Sequence, residues 1–213
     1  MMLEKLVIFG AGGHAKVVID AVMRQGRFDV AFLADSDAAR VGSVILGYPV
    51  REEAEGFAAL AAGVKYGIIA IGDNATRRRI AEMVRRNGLT LAKVIHPSAV
   101  VACATSIGDG TLVMPGSIIN AEAHIGANVI VNTGAVIEHD CVIGDDAHIA
   151  PNVTLCGGVS VGAGSLIGAG ATVLVGRRIG TGAVVGAGST VIEDVPDGTC
   201  AVGSPCRILE SRA

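Results

Sequence analysis

Residues 124–149, with the sequence HIGANVIVNTGAVIEHDCVIGDDAHI, carry an aliphatic side chain at every sixth position. The same register runs from Ile107 to Val191, and all 15 of its positions are Ile, Val or Leu. Glycine often follows the aliphatic residue, and a small residue usually stands two positions before it. An amphipathic helix does not repeat every six residues, and an ordinary strand repeats every two. The pattern therefore predicts six-residue units, each made of one short strand and one turn.

Three such units would close one triangular coil, with the aliphatic side chains inside and glycine permitting the tight turns. Successive coils would stack through parallel-sheet hydrogen bonds about 4.8 Å apart, so that five coils make a prism roughly 24 Å tall. The composition agrees, because the chain has 30 Gly, no Trp and only 3% aromatic residues. A core without large aromatic side chains is typical of a repeat built from many small layers.

Before this repeat, strands alternate with helices. The patterns predict strands at 5–9, 30–33 and 67–71, and helices at about 16–25, 52–62 and 74–87. Such alternation indicates a small parallel α/β domain. We therefore predict an α/β, half-Rossmann-like domain over residues 1–95. A parallel β-helix with a C-terminal cap follows over residues 96–213.

The loop between the first strand and the first helix has the sequence GAGGHA, at residues 10–15. Bare backbone N–H groups at a helix N-terminus suit a phosphate group. An oxidoreductase would bind a dinucleotide here, with Asp35 on a ribose. A dinucleotide normally lies across two halves of a doubly wound sheet, however, and about 95 residues supply only one half. We therefore favour an acyltransferase over an oxidoreductase.

Nearly the whole chain resembles the bacterial nucleotide-sugar acetyltransferases that modify 4-amino-4,6-dideoxy sugars, together with the related sialic acid O-acetyltransferases. The motifs that carry this resemblance are GAGGHAKVV at 10–18, AIGDNATRRRI at 70–80, IHPSAVV at 95–101, NTGAVIEHDCVIG at 132–144 and VGSPCRI at 202–208. The resemblance implies a left-handed β-helix, a homotrimer, and acetyl-CoA bound in the groove between neighbouring prisms. Sugar O-acetylation, of a sialic acid for example, is the alternative activity.

In that family the N-terminal loop holds the nucleotide of the sugar donor. The resemblance puts Gly12, Gly13 and His14 on the phosphate and sugar side. It puts Asp35 and Ser36 at the nucleoside, and Gly72 in the same pocket. Family members often have two acidic residues where this chain has Asp35 and Ser36. The nucleobase therefore stays open among UDP, GDP and dTDP sugars.

Acetyl transfer to an amine needs a group that removes a proton, and histidine is suited to this because its pKa lies near neutral pH. His139 stands between Glu138 and Asp140. A neighbouring carboxylate raises the basicity of a histidine. The resemblance makes His139 the catalytic base and Asp140 its partner, in a position where some relatives have Glu. Glu138 is a second candidate to orient the ring.

The resemblance also implies the contacts of the co-substrate. His148 would contact acetyl-CoA near its thioester, although a histidine of the trimer interface is an equal alternative. The backbone N–H of Gly157 would stabilise the oxyanion, and the turns at Ala169 and Ala187 would line the pantetheine arm. Cys141 occupies a small-residue position of the repeat, which favours packing over catalysis. We therefore predict direct attack without an acetylated cysteine.

Several classes of partner are disfavoured. The net charge is −3 with no basic stripe, so nucleic acid is not expected. An arginine cluster on the third predicted helix is interpreted as a solvated face; it consists of Arg77, Arg78, Arg79, Arg85 and Arg86. Five cysteines without a CxxC motif fit reduced thiols in the cytoplasm. No apolar run is long enough for membrane insertion.

A metal enzyme is a rival, because γ-class carbonic anhydrases share the prism and bind zinc through three histidines, two of them five residues apart. Here His124, His139 and His148 are spaced by 15 and 9 residues, so no metal is predicted. A nucleotide-binding scaffold without catalysis is a second rival, and the Glu138–Asp140 motif argues against it. The unbroken six-residue register has no inserted loop, which disfavours a serine or simple-sugar acetyltransferase.

Overall fold

A computed structural model of the chain describes residues 3–209. They form two compact units that divide between Pro97 and Ser98, two residues beyond the predicted boundary. The predicted fold class is confirmed: a Rossmann-like α/β unit precedes a left-handed parallel β-helix.

The first unit is a mainly parallel sheet with helices packed against it. The strands of this sheet are β1 (Glu4–Phe9), β2 (Phe28–Asp35), β3 (Val44–Ile45), β4 (Tyr48–Glu52), β5 (Tyr66–Ile69) and β6 (Thr90–Leu91), and the helices are α1 (Gly13–Gln25), α2 (Glu53–Ala58) and α3 (Asn74–Arg86). A further short strand, β7 (Val94–Ile95), does not belong to this sheet. The order β3-β4-β2-β1-β5-β6 is parallel except for the antiparallel hairpin β3–β4. The loops after β1, β2 and β5 therefore meet at one edge of the sheet.

The helix boundaries follow from their caps. Helix α1 begins three residues earlier than predicted, because Gly12 takes the N-cap position in extended conformation. Helix α3 begins as predicted, since the Asp73 carboxylate accepts a hydrogen bond from the N–H of Thr76 at 2.8 Å. The helix predicted over 52–62 changes after Ala58 into a 3₁₀ turn, Ala59–Ala62.

The prediction that Arg77 lies on a solvated face is wrong. Its side chain is 1% exposed, while Arg78, Arg79, Arg85 and Arg86 are exposed as expected. The Arg77 guanidinium donates to the carbonyls of Ile71 and Gly72 at 3.3 and 3.1 Å, and to Asn74 Oδ1 at 2.8 Å. It therefore ties the start of α3 to the loop that follows β5.

The second unit consists of short strands separated by turns. They are β8 (Val100–Val101), β9 (Ser106–Ile107), β10 (Leu112–Val113), β11 (Ile118–Ile119), β12 (His124–Ile125), β13 (Ile130–Val131), β14 (Val136–Ile137), β15 (Val142–Ile143), β16 (His148–Ile149), β17 (Thr154–Leu155), β18 (Ser160–Val161), β19 (Leu166–Ile167), β20 (Thr172–Val173), β21 (Arg178–Ile179), β22 (Val184–Val185), β23 (Thr190–Val191), β24 (Cys200–Val202) and β25 (Arg207–Ile208). They form three sheets that are parallel apart from the final antiparallel pair β24–β25.

The register of these sheets confirms three six-residue units per coil. Ile118 pairs with Val136, and Val136 pairs with Thr154, so each step along a sheet is 18 residues until the last coil, where Val184 pairs with Cys200. Fourteen of the 15 aliphatic positions of the repeat are buried, and Ile107 in the first coil is half-buried. Burying one such side chain contributes about 1.5–3 kcal/mol, so the stacked layers supply the core of this unit.

Candidate active site

His139 lies in the turn that follows β14, at one corner of the β-helix. The next residue, Asp140, has φ of 60°, in the left-handed region that few residues other than glycine, Asn and Asp adopt. The Asp140 N–H donates to the carbonyl of Ala121 at 3.2 Å, and the His139 carbonyl accepts from Gly158 at 2.9 Å. The coils on both sides therefore hold the backbone of this turn.

The turn brings the His139 and Asp140 side chains together. His139 Nδ1 lies 2.6 Å from Asp140 Oδ2, and the imidazole is 63% exposed. The hydrogen bond with Asp140 raises the pKa of His139, and the charges of Asp140 and Glu138 add to this. With Nδ1–H donated to the carboxylate, the lone pair of the neutral ring is on Nε2, which is the arrangement a general base needs.

Glu138 has a different partner. Its Oε2 accepts a hydrogen bond from Asn120 Nδ2 of the preceding coil at 2.8 Å. Glu138 therefore acts on His139 through its charge, and Asp140 is the carboxylate that orients the ring.

The imidazole of His139 lies against the backbone of the next coil at Gly157. A Cβ atom added to Gly157 would be 2.6 Å from both Cε1 and Nε2 of the ring. The Gly157 carbonyl accepts a hydrogen bond from the N–H of Gly176 at 3.0 Å. Within residues 3–209 the Gly157 N–H itself makes no hydrogen bond. It is therefore a donor available beside Nε2, as an oxyanion site requires.

His148 is half-buried on β16 and contacts Asn132. Its Nε2 lies 3.1 Å from Asn132 Nδ2, while Asn132 Oδ1 accepts the N–H of Thr133 at 2.9 Å. Because an amide nitrogen only donates, His148 Nε2 is the acceptor and the ring proton is on Nδ1. Our sequence analysis missed Asn132, although it opens the motif at 132–144; its position directly after β13 was the available signal.

Ala169 and Ala187 are stacked turn residues of successive coils. The Ala169 carbonyl accepts the N–H of Gly188 at 2.8 Å. A Cβ added to Gly168 would lie 2.5 Å from the backbone nitrogen of Ala187, so the two turns approach closely. Such bare turns expose backbone groups rather than side chains to a ligand.

Three further candidates, Cys141, His124 and His96, have other hydrogen-bond or ion-pair partners. The buried Cys141 thiol donates to the Cys156 carbonyl at 3.3 Å, and burial raises its pKa, which disfavours the nucleophilic thiolate. His124 is exposed, with Nδ1 2.8 Å from Ser106 Oγ. The buried His96 has Nε2 at 3.8 Å from Asp20 Oδ2.

The part of the chain that the structure describes holds no group of three or more His, Cys, Asp or Glu placed to bind a metal ion. In the same residues, no helix has the length and apolar character needed to cross a membrane.

A second candidate site lies at the sheet edge of the first unit, in a cavity of about 350 Å³. All six residues predicted to bind the substrate line it: Gly12, Gly13, His14, Asp35, Ser36 and Gly72. Arg40 and Thr76 also line it, and neither was predicted. The structure therefore gathers residues from the three loops that follow β1, β2 and β5.

The loop after β1 needs glycine at its first position. Gly10 has φ of 101°, and a Cβ there would lie 2.8 Å from Ile71 Cγ1. Gly12 then caps α1 without a side-chain hydrogen bond, and the first turn of α1 has no acidic residue. The N–H groups at the start of α1 therefore favour an anionic ligand.

Asp35 is 8% exposed and holds this loop in place. Its Oδ2 accepts the N–H of Ala11 at 2.6 Å and Arg40 Nη1 at 3.2 Å, while Oδ1 accepts the N–H of Asp37 at 2.8 Å. Burial alone would raise the pKa of Asp35, but these hydrogen bonds and the charge of Arg40 outweigh it and lower the pKa. Asp35 is therefore ionised at neutral pH.

His14 has a buried nitrogen in the cavity wall. Its Nε2 has no hydrogen-bond partner within residues 3–209. Burial and the nearby charge of Arg77 lower the pKa of His14, so its imidazole is neutral at pH 7. A buried polar atom without a partner costs free energy, and a ligand hydrogen bond would remove that cost.

The chain is similar to known protein families and to solved structures. Residues 5–84 match the PglD N-terminal domain family, and residues 104–139 and 140–175 match the bacterial transferase hexapeptide family. A histidine-to-alanine variant of GDP-perosamine N-acetyltransferase from Caulobacter crescentus has been solved with CoA and GDP-perosamine. It is 40% identical, with a TM-score of 0.93 and 99% of each chain covered.

Two further relatives extend the comparison. The acetyltransferase domain of PglB from Neisseria gonorrhoeae, solved with acetyl coenzyme A, is 34% identical with a TM-score of 0.90, covering 98% of this chain and 100% of that one. UDP-N-acetylbacillosamine N-acetyltransferase of Bacillus subtilis is 38% identical over 114 residues. That match spans 53% of this chain and about half, 52%, of the relative.

The N-terminal α/β unit and the β-helix place the chain in the class of bacterial hexapeptide-repeat transferases with a PglD-type N-terminal domain. Within that class, the chain belongs to the family of bacterial nucleotide-sugar N-acetyltransferases that use acetyl-CoA. The predicted family is thereby confirmed.

Proposed function

We propose that this protein transfers an acetyl group from acetyl-CoA to the 4-amino group of a nucleotide-linked 4-amino-4,6-dideoxy sugar. The observation that carries the proposal is the His139–Asp140 pair, whose 2.6 Å contact leaves Nε2 of the neutral ring as the proton acceptor. The free N–H of Gly157 beside that ring supports the same reaction.

The mechanism is direct attack on the thioester. The sugar nitrogen forms a bond to the acetyl carbon while His139 Nε2 takes the amine proton. Negative charge develops on the acetyl oxygen, and the Gly157 N–H stabilises it. The carbon–sulfur bond then breaks, and the imidazolium returns its proton to the departing CoA thiolate. No cysteine takes part, in agreement with the burial and raised pKa of Cys141.

Relatives support both substrates. The Caulobacter enzyme binds CoA and GDP-perosamine, the Neisseria domain binds acetyl coenzyme A, and the Bacillus relative is named for a UDP-linked sugar. The six cavity residues of the first unit would hold the nucleotide sugar. His148, Gly157, Ala169 and Ala187 would contact acetyl-CoA, and Asn132 orients His148 through its amide.

A homotrimer would complete the acetyl-CoA groove. Two sheets of the β-helix present apolar side chains outward, such as Leu166 and Val184 on one and Val100 and Val136 on the other. Apolar surface of this kind is typical of an interface.

The cytoplasm is the proposed compartment, because acetyl-CoA is available there and all five cysteines are free thiols.

The test is thiol release from acetyl-CoA with a panel of UDP-, GDP- and dTDP-linked 4-amino-4,6-dideoxy sugars and free sialic acids. We expect turnover of one amino sugar and a loss of about 10²- to 10⁴-fold in kcat/KM for His139→Ala. His124→Ala is the matched control, because His124 is also an exposed histidine of the β-helix. Turnover of sialic acid alone, or full activity of His139→Ala, would contradict the proposal.

A further inference from the structure

Arg40 is a charged residue of the first unit to which no ligand contact has been given so far. It follows β2 and lines the cavity of about 350 Å³ described above. It also lines a second cavity, of about 520 Å³, together with Lys16 and the hairpin residues 44–46. The two cavities share Gly12, Gly13 and Arg40, so the guanidinium stands in the wall between them.

The guanidinium is held in place but retains free donors. Its Nη1 donates to Asp35 Oδ2 at 3.2 Å, and its Nε lies 3.4 Å from Asp37 Oδ2. Within residues 3–209 its Nη2 group makes no hydrogen bond. The side chain is 47% exposed, so these donors reach solvent or a ligand. Asp35 also accepts two backbone N–H groups, which fix its carboxylate in place as an anchor for Arg40.

The surroundings of Arg40 favour an anion. None of the residues that line the larger cavity is acidic, and Lys16 adds a second positive charge. A Cβ added to Gly12 would lie 4.0 Å from Arg40 Nη1, so the guanidinium lies directly over the start of α1. The unpartnered Nε2 of His14 is an independent feature of the neighbouring cavity that a ligand hydrogen bond would satisfy.

We propose that Arg40 binds the diphosphate of the nucleotide sugar, and that Asp35 positions it for this contact. The proposal rests on the proposed function, because it takes a sugar nucleotide as the ligand. A diphosphate joins two bulky groups and carries negative charge at their junction, which matches a cation placed between two cavities. Arginine suits this task because its planar guanidinium donates two parallel hydrogen bonds to one phosphate.

Binding measurements on the full chain test the proposal without depending on turnover. Isothermal titration with GDP, UDP and dTDP would compare the wild type with Arg40→Ala, Arg40→Lys and Arg86→Ala. Arg86 is the matched control, since it is an exposed arginine paired with one acidic residue, Glu82, at 3.8 Å. We expect Arg40→Ala to weaken binding of the preferred diphosphate about 10- to 100-fold. Arg40→Lys should restore part of it, and Arg86→Ala should change it less than 2-fold.

Two further readouts separate a ligand contact from a folding defect. The acetyl-CoA affinity of Arg40→Ala should match that of the wild type, and the variant should be fully folded at the assay temperature although Asp35 loses one hydrogen bond. In turnover, KM for the sugar nucleotide should rise by the same factor as the dissociation constant while kcat changes little. If Arg40→Ala binds the diphosphate as well as Arg86→Ala does, or loses acetyl-CoA binding in parallel, the proposal is wrong. Diphosphate binding that depends on Arg40 in a protein without transferase activity would support it and refute the proposed function instead.

Discussion

The two candidate sites each contain an aspartate beside a basic partner, but they use it in opposite ways. Asp140 is exposed, adjacent in sequence to His139, and raises the pKa of that one histidine. Asp35 is buried, draws in Ala11 and Arg40 from other parts of the chain, and has its own pKa lowered. The comparison indicates that an exposed carboxylate can change the pKa of its histidine partner with little effect on stability. A buried carboxylate, in contrast, organises a loop and contributes to the stability of the fold.

The largest effect that tests this comparison is on stability. Asp35→Asn should lower the free energy of unfolding by about 2 kcal/mol, because the amide nitrogen would face either the N–H of Asp37 or both the N–H of Ala11 and the Arg40 guanidinium. Asp140→Asn should change it by less than about 0.5 kcal/mol, because that side chain is exposed and Asn tolerates the left-handed region. Chemical denaturation of the two matched variants at pH 7 measures the difference.

The same pair predicts how stability depends on pH. Because folding lowers the pKa of Asp35 from 3.8, its contribution is present above that value and is lost as the pH falls through the lower folded pKa. The stability difference between wild type and Asp35→Asn should therefore shrink on acidification below about pH 4. Equal destabilisation by both Asp→Asn variants would remove the distinction between the two sites.

A substitution at Gly157 should separate activity from stability inside the β-helix. The added Cβ of Gly157→Ala would contact the exposed His139 ring, which can rotate away, so we expect about a 10- to 100-fold loss of kcat/KM with little change in melting temperature. Gly144→Ala is the matched control, because its Cβ would lie 2.6 Å from the backbone nitrogen of Ala163. Gly144→Ala should lose stability, and its folded fraction should keep its activity. A fully active Gly157→Ala, or a stable but inactive Gly144→Ala, would mean that the His139 ring does not lie against Gly157.

The smallest expected effect is a shift in the pH dependence of the reaction. His139 acts as a base only when neutral, so kcat/KM of the wild type should rise with pH through a pKa above 6.5. In Asp140→Asn the carboxylate that raises the pKa of His139 is gone, so the rise of kcat/KM should occur at lower pH. The value of kcat/KM at high pH should also be lower, because the His139 ring is then a weaker base. A pH–rate profile from pH 5 to 9 measures both; an unshifted limb would mean that Asp140 does not control the base.

Much of the second unit could be predicted, since its contacts repeat every 18 residues. Each aliphatic residue of the register meets its equivalent in the next coil, as Ile137 meets Leu155 in the sheet register. His139 and Asp140 are neighbours in the sequence, so their contact was also within reach of motif analysis. Asn132 and His148 are 16 residues apart, close to one coil, and only the stacking of coils brings their side chains together.

The first unit was harder to predict beyond its strands and helices. Arg77 stands in a run of three arginines that looks like a solvated surface, yet the start of α3 turns it inward onto the carbonyls of Ile71 and Gly72. The hairpin β3–β4 consists of short segments without clear periodicity. Arg40 precedes it in a loop, and nothing in the local sequence indicates that its side chain reaches the glycine-rich loop.

The sequence by itself determined the β-helix, the α/β character of the first unit and the histidine–aspartate pair, because each depends on short-range periodicity or on adjacent residues, and its motifs carried the resemblance to the family. The tertiary structure alone decided which distant groups share a cavity. Asp35 contacts the N–H of Ala11 across 24 residues because β1 and β2 are parallel neighbours whose ends meet at one edge. That pairing also places Arg40 beside Gly12, which no local pattern encodes.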